Sequence, residues 1–310
     1  MFEDSSQISR SAEVMLESLL ESKAKDAFGV PEVLDSIMDK TQKMDGLPVT
    51  YDGDVPRDVS TRSLVTDSGT QLFELMPSGS SDSDLTMVFY HGGGFIMEIA
   101  EPHWNFCFEL VRTLRCRIIV AIYPLAPVHT YEDAYIACYD AFSYASSLSD
   151  DSKLILIGDS AGAHLAIAMA QIALNKGVRQ PNLVIAISPW IDIADEVEGK
   201  DGIDPIDPML AMSGLSKIAG IWAPYLRDAR VFPPCILHGP LEGLAPMMIF
   251  SDTREVFHPE AEAFAEKAKQ AGVDVELVIG EGLWHCWASM IEIDEGQRAI
   301  ELMVERIEKL

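Results

Sequence analysis

Apolar residues along this chain follow two rhythms. Between residues 8 and 45 they recur every three to four positions, at Ile8, Met15, Leu16 and Leu19 and again at Val33, Leu34, Ile37 and Met38. That period predicts two amphipathic helices, the second opened by Pro31 in its first turn. Residues 46–60 are turn-rich and read as a connector, after which RSLVTD and TQLFELM flank Asp67-Ser68-Gly69 as a β-hairpin would. From Leu85 onward short, wholly apolar runs alternate with helical ones. Strands are predicted at 85–90, 117–123, 153–157, 183–187, 247–250 and 273–279. Helices are predicted at 103–114, 131–148, 161–176 and 259–271, with a last one near 288–309. Strands with no polar face belong to a mainly parallel sheet covered by helices on both sides, an α/β architecture that binds ligands beyond the carboxyl ends of its strands.

The interval from Pro189 to Pro246 breaks this alternation. It is rich in Pro, Gly, Asp and Met, with helical stretches expected around 208–212 and 215–225. An insertion of that length in an α/β domain reads as a lid or cap. The organisation expected is therefore residues 1–60 as N-terminal cap helices and connector, then one α/β domain over 61–310 carrying a cap insertion at about 190–245.

Composition narrows the field. The chain has 310 residues, 48% of them hydrophobic, and a formal net charge of −26. A chain so acidic repels polyphosphate, which excludes a nucleic-acid partner and an anionic membrane surface. No apolar run reaches the ~18 residues that a membrane span needs. The first residues carry acids where a secretory signal carries Lys or Arg, so a cytoplasmic location is expected. The five cysteines (107, 116, 138, 235 and 286) form no C-x-x-C pair, which argues against a disulfide framework or a zinc site, and no metal or cofactor is expected. A homo-oligomer is left open.

Two glycine motifs carry candidate chemistry. Gly158-Asp159-Ser160-Ala161-Gly162 fits G-x-S-x-G. With Gly and Ser near 7% each, chance produces that pattern in roughly one in ten chains of this length, so the setting decides. The run KLILI before it is a buried strand and AHLAIAMAQIAL after it a helix, which is the strand–turn–helix context that leaves a serine hydroxyl exposed on a strained turn. His91-Gly92-Gly93-Gly94 follows the strand LTMVFY, and its glycines free backbone N–H groups to point at a developing oxyanion. A phosphate loop is disfavoured, because no Gly-Lys-Ser/Thr follows and Glu98 and Glu101 stand nearby. The N–H donors expected are those of Gly93, Gly94 and Ala161. His91 and Asp159 read as braces of their loops rather than as proton carriers.

HGGGF at 91–95, YPLAP at 123–127, GDSAG at 158–162 and SPW at 188–190 stand in the order seen in the hormone-sensitive-lipase-like branch of α/β-hydrolase esterases, which the chain resembles from about Leu64 to its C-terminus. The resemblance implies cofactor-free hydrolysis of carboxylic esters, generally of short acyl chains, with the triad in the order Ser, acid, His. Ser160 is then the nucleophile and His285, in the loop between the last strand and last helix, the base. The family's spacing from Pro246 places the acid at Glu255, where Asp is usual; Asp252 is the alternative, with capping of the turn as its other role. Asp192 resembles a position that ties the cap entrance to the core.

The expectation is thus a serine carboxylesterase acting on small, short-chain acyl esters through an acyl-enzyme. The alternatives are a non-catalytic ligand-binding protein on the same fold, or an amidase or acyltransferase. Phe95, Met97, Trp190, Met209, Met212, Trp222, Trp284 and Trp287 are candidate pocket walls.

Overall fold

Residues 85–90 show how the chain builds two cores from one sheet. Leu85, Met87 and Phe89 point into one apolar cluster and Val88 and Tyr90 into another, as the two-residue period of a strand requires when both faces are covered. The computed structural model describes residues 8–79, 84–148, 152–225 and 232–310. Among these, eight strands form one sheet: β1 (Val59–Val65), β2 (Gln71–Pro77), β3 (Leu85–Tyr90), β4 (Arg117–Ala121), β5 (Lys153–Asp159), β6 (Leu183–Ile187), β7 (Met247–Asp252) and β8 (Val275–Gly280). Their order is β1-β2-β4-β3-β5-β6-β7-β8, antiparallel from β1 through β2 to β4 and parallel from there on.

The register aligns the carboxyl ends. Tyr90 pairs with both Ala121 and Gly158, and Asp159 pairs with Ile187. From β3 the chain crosses to β4 on one side and later returns to β5 on the other, so the crevice between β3 and β5 is the switch point where α/β sheets receive ligands. Both glycine motifs leave the sheet there.

The helices are α1 (Arg10–Glu21), α2 (Asp26–Gly29), α3 (Pro31–Met44), α4 (Glu101–Leu114), α5 (Tyr131–Ser147), α6 (Ala161–Lys176), α7 (Met212–Trp222), α8 (His258–Gln270) and α9 (Asp294–Ile307). None of them is long and apolar enough to cross a membrane. Twelve residues of α6 are buried, which explains its near-absence of polar side chains.

Several boundaries depart from the sequence expectation. The N-terminal segment makes three helices rather than two, with the four-residue α2 between the long ones. The stretch 208–212 is not helical before Met212, because the Asp207 carboxylate accepts the N–H groups of Met209 and Leu210 at 2.8 Å each and holds them in a turn. The last helix begins at Asp294, after a 3₁₀ turn at Trp287–Ser289.

The helices before β1 do not stand apart from the rest of the chain. Ser9 at the head of α1 gives both its N–H and its hydroxyl to the Glu295 carboxylate on α9, at 2.7 and 2.8 Å. Further along, α2 packs on α7 where Gly214 faces the Phe28 backbone; a Cβ at 214 would be driven into the Phe28 carbonyl. Residues from the start of the chain and from the insertion therefore meet over the sheet.

Candidate active site

Ser160 sits at the end of β5 with φ +55° and ψ −118°, a strained positive-φ conformation that few non-glycine residues adopt. The turn is fixed by its N–H to Ile187 O at 2.8 Å and by its carbonyl, which accepts from Trp190 N and His164 N. Gly162 is required by space: a Cβ there would collide with the carbonyl oxygens of Tyr90 and His91. The close approach of the β3 and β5 loops depends on that missing side chain.

The glycine loop after β3 lies beside this turn. Its Gly93 has φ +106°, and neither Gly93 nor Gly94 gives its N–H to a protein acceptor among the described residues. Ala161 is the first residue of α6, so its N–H also lacks an intrahelical partner. Asp159 braces the two loops. One carboxylate oxygen accepts Gly92 N at 3.0 Å and the other faces His103 Nε2 at 3.3 Å, while Ala100 N donates to His103 Nδ1 at 2.9 Å. Burial works against both charges, yet the Asp159–His103 pairing outweighs it and holds the acid below and the imidazole above their ordinary values. His91 stacks on Tyr123 at 4.3 Å and its carbonyl accepts the Tyr123 hydroxyl at 2.6 Å; burial and the neighbouring His103 push its imidazole down to about 3.

His285 follows β8 in a loop whose neighbour Cys286 is pinned by its N–H to Ser188 Oγ at 2.9 Å. Its Nδ1 lies 2.7 Å from Glu255 Oε2. Glu255 is fully buried and also accepts from Ser251 Oγ at 2.9 Å, Asp252 N at 3.2 Å and the Ser188 hydroxyl. Asp252 instead turns back to accept Arg254 N at 2.8 Å, the turn-capping role open to it from sequence, and among the described residues the hydrogen bond to His285 comes from Glu255. Burial lowers His285 to about 4 against the pull of Asp207 and Asp159, and pushes Glu255 up against its hydrogen bonds from Ser188 and Ser251. At neutral pH the imidazole is accordingly the free base.

A cavity of about 230 Å³ brings Ser160, His285, Gly93 and Gly94 together. Of the expected pocket walls only Met97 and Met209 line it. The other wall residues are Phe28, Pro102, His103, Asp159, Leu210, Cys286, Ser289 and Met290. Phe95, Trp190, Met212, Trp222, Trp284 and Trp287 are corrected: none borders this cavity. Phe95 lies flat on Trp222 with ring centroids 3.7 Å apart, and Trp190 stacks on Phe257 at 5.6 Å. Trp284 and Trp287 are buried on the opposite side of the sheet, their indole N–H groups reaching Met290 Sδ and Ser251 O. Rings this large bury more apolar area as core than a small cavity could offer them. Met212 borders a separate recess with Trp190.

Sequence reasoning missed three contributors. Phe28 comes from a helix too short to leave a periodic signal. His103 looked like an ordinary helix start. Asp207 was one of many acids in an irregular stretch, yet it accepts from Met209, Leu210 and Val256 and so joins the cavity wall to the Glu255 turn. A preceding-proline pattern, Asp207-Pro208, was the available hint of a turn. Asp192, read as a tie at the cap entrance, accepts Glu196 N, Val197 N and the buried Lys200, which also pairs with Glu260 at 2.8 Å.

Residues 87–289 match a family model described as the alpha/beta hydrolase fold. An esterase of Acinetobacter venetianus is 30% identical over 207 residues, covering 64% of this chain and 66% of that one. An ethyl acetate hydrolase of Pseudomonas putida is 25% identical over 270 residues, 83% and 84% of the two chains. Among solved structures, an esterase of the bacterial hormone-sensitive lipase family superposes with a TM-score of 0.75 at 24% identity, covering 89% of this chain and 97% of that one.

Proposed function

The chain belongs to the α/β-hydrolase fold family, and from that premise we propose that it is a serine carboxylesterase cleaving small, short-chain acyl esters through an acyl-enzyme on Ser160. One observation carries the reading: a strained serine and a neutral imidazole backed by a carboxylate at 2.7 Å share a cavity with a glycine loop of undonated N–H groups.

Ser160 Oγ attacks the acyl carbonyl carbon as its proton passes to His285 Nε2. The carbonyl oxygen becomes an oxyanion facing the N–H groups of Gly93, Gly94 and Ala161, each such donor being worth about 3–4 kcal/mol in the transition state. The C–O bond to the alcohol then breaks, and His285 returns the proton to the leaving oxygen. Water repeats the attack on the acyl-enzyme, its proton again going to His285 and finally to Ser160. Glu255 holds Nδ1–H in place, which keeps Nε2 free to accept, and stabilises the imidazolium that forms twice in the cycle.

Substrate size follows from the cavity. At about 230 Å³ it lies below the usual ~300–1,000 Å³ of small-molecule sites, which favours acetyl to butyryl groups. Its walls of Phe28, Met97, Met209, Leu210 and Met290 suit an uncharged acyl chain. The test is a series of p-nitrophenyl esters from acetate to palmitate with Ser160→Ala as blank, alongside fluorophosphonate labelling. Activity should peak at or below four carbons, with the label on Ser160. A maximum at ten carbons or more would overturn the substrate class, and an inert Ser160 the chemistry.

A further inference from the structure

Away from the cavity, the two ends of the insertion after β6 approach each other at three side chains that the hydrolytic reading does not use. We propose that Glu196, Cys235 and His238 form a site for one zinc-class divalent ion, which staples the start of the insertion to its end. A carboxylate oxygen of Glu196, Cys235 Sγ and a ring nitrogen of His238 all lie within 4.8 Å of one another, and Glu196 Oε2 is already 3.0 Å from His238 Nε2. Ligands around a tetrahedral zinc ion stand about 3.3–3.8 Å apart, so sub-ångström to ångström adjustments close the site.

Local structure explains why these donors converge. Ile236–His238 is a 3₁₀ turn, whose three residues per turn set positions three apart on one side, as Cys235 and His238 are. The turn is held from outside by two clamps, Gln171 Nε2 on Ile236 O at 3.0 Å and Lys267 Nζ on Leu237 O at 2.6 Å. Glu196 is held at the other end of the insertion by its own N–H, which donates to Asp192 Oδ2 at 2.7 Å. Cys235 is fully buried and His238 half-exposed, which leaves the fourth tetrahedral position to water.

The donor set selects the ion. One sulfur, one imidazole nitrogen and one carboxylate oxygen suit zinc or cobalt and poorly suit magnesium or calcium, which take oxygen. Binding forms the metal–sulfur bond as the thiol proton leaves to solvent. The His238 ring proton moves to Nδ1 so that Nε2 offers its lone pair. The loop so closed runs from Glu196 to Cys235 and contains α7 together with Met209 and Leu210 of the cavity wall. A Cys-x₂-His pair with a distant Glu lies outside the C-x-x-C pattern that marks a zinc site in sequence.

Cobalt titration of the full-length protein tests the site. One equivalent should raise a thiolate-to-cobalt charge-transfer band that zinc displaces, and zinc should raise the melting temperature. Cys235→Ser should abolish the band. His238→Ala, on a half-exposed side chain, should weaken zinc affinity by a factor on the order of 100 or more and remove the thermal shift. Absence of the band in the native protein overturns the proposal, and so does its survival in Cys235→Ser or unchanged zinc affinity in His238→Ala.

Discussion

Replacing Glu255 by Gln tests the catalytic reading at its most specific point. The wild-type carboxylate only accepts: from His285 Nδ1 at 2.7 Å, Ser251 Oγ at 2.9 Å, Asp252 N at 3.2 Å and the Ser188 hydroxyl. A carboxamide has one oxygen and one NH₂. If the NH₂ faces His285, Nδ1 must become the acceptor, the ring proton moves to Nε2, and the base can no longer take the Ser160 proton. If the oxygen faces His285, the Ser251 hydroxyl can turn to accept from the NH₂, but the Asp252 N–H cannot, which leaves a donor-against-donor contact in a fully buried site. The first arrangement costs less, so the wrong tautomer should dominate. A loss of about 10³–10⁴ in kcat follows, as for the equivalent acid-to-amide change in other Ser-His-acid triads, or about 4–5.5 kcal/mol. KM should change little, since Glu255 does not line the cavity. The assay is steady-state hydrolysis of p-nitrophenyl butyrate by Glu255→Gln and Asp252→Asn, with circular dichroism to verify folding. A Glu255→Gln enzyme within tenfold of wild type, beside an Asp252→Asn enzyme that has lost its turnover, would refute the assignment.

Three further outcomes are expected. The His285–Glu255 pair works only with a neutral imidazole and an ionised carboxylate, and burial pushes Glu255 up, so kcat should fall as pH drops with a midpoint above the usual carboxylate range; an acid limb centred near 4.5 would contradict this. His103→Ala removes the partner that holds Asp159 ionised beside Gly92, and should lower kcat about ten- to a hundredfold by loosening the N–H donors, against an unchanged kcat if His103 merely packs. Gly214→Ala forces a methyl into the Phe28 carbonyl and should destabilise the protein by about 1–3 kcal/mol while shifting the butyrate-to-acetate ratio; Gly220→Ala, in the same helix with open space around it, should be neutral or stabilising in thermal melts.

Much of this was legible in the chain because the chemistry sits on short contiguous motifs. Gly158–Gly162 and His91–Gly94 each carry their own strand and turn, so local pattern places Ser160 and the N–H donors. Glu255 was found through the spacing that a resemblance supplied and His285 through its loop between the last strand and the last helix, and the structure puts the two in contact. The cavity wall was not legible. Its members Phe28, Pro102, Met209 and Met290 come from four separate segments, and their convergence is a property of the fold alone. Size misled in the same place: tryptophans suggested a binding surface, but Trp222 and Trp284 are buried completely. Asp207 shows a different limit. Its hydrogen bonds to Met209 and Leu210 override the helical pattern read over 208–212, and no periodicity argument anticipates a carboxylate competing for backbone donors.

The nucleophile and the cavity wall are anchored to very different depths. Ser160 heads α6, a helix buried on nearly every side and packed against β3, β5 and β6 of the central sheet. Phe28 rides on a four-residue helix, and Met209 and Leu210 are held by a single carboxylate. Amide exchange should therefore be slowest beneath the nucleophile and fastest above it. Substitutions that enlarge or reshape the upper wall can alter which acids the protein releases while leaving the bond-breaking apparatus untouched, so selectivity is free to drift over evolutionary time on a fixed chemical foundation.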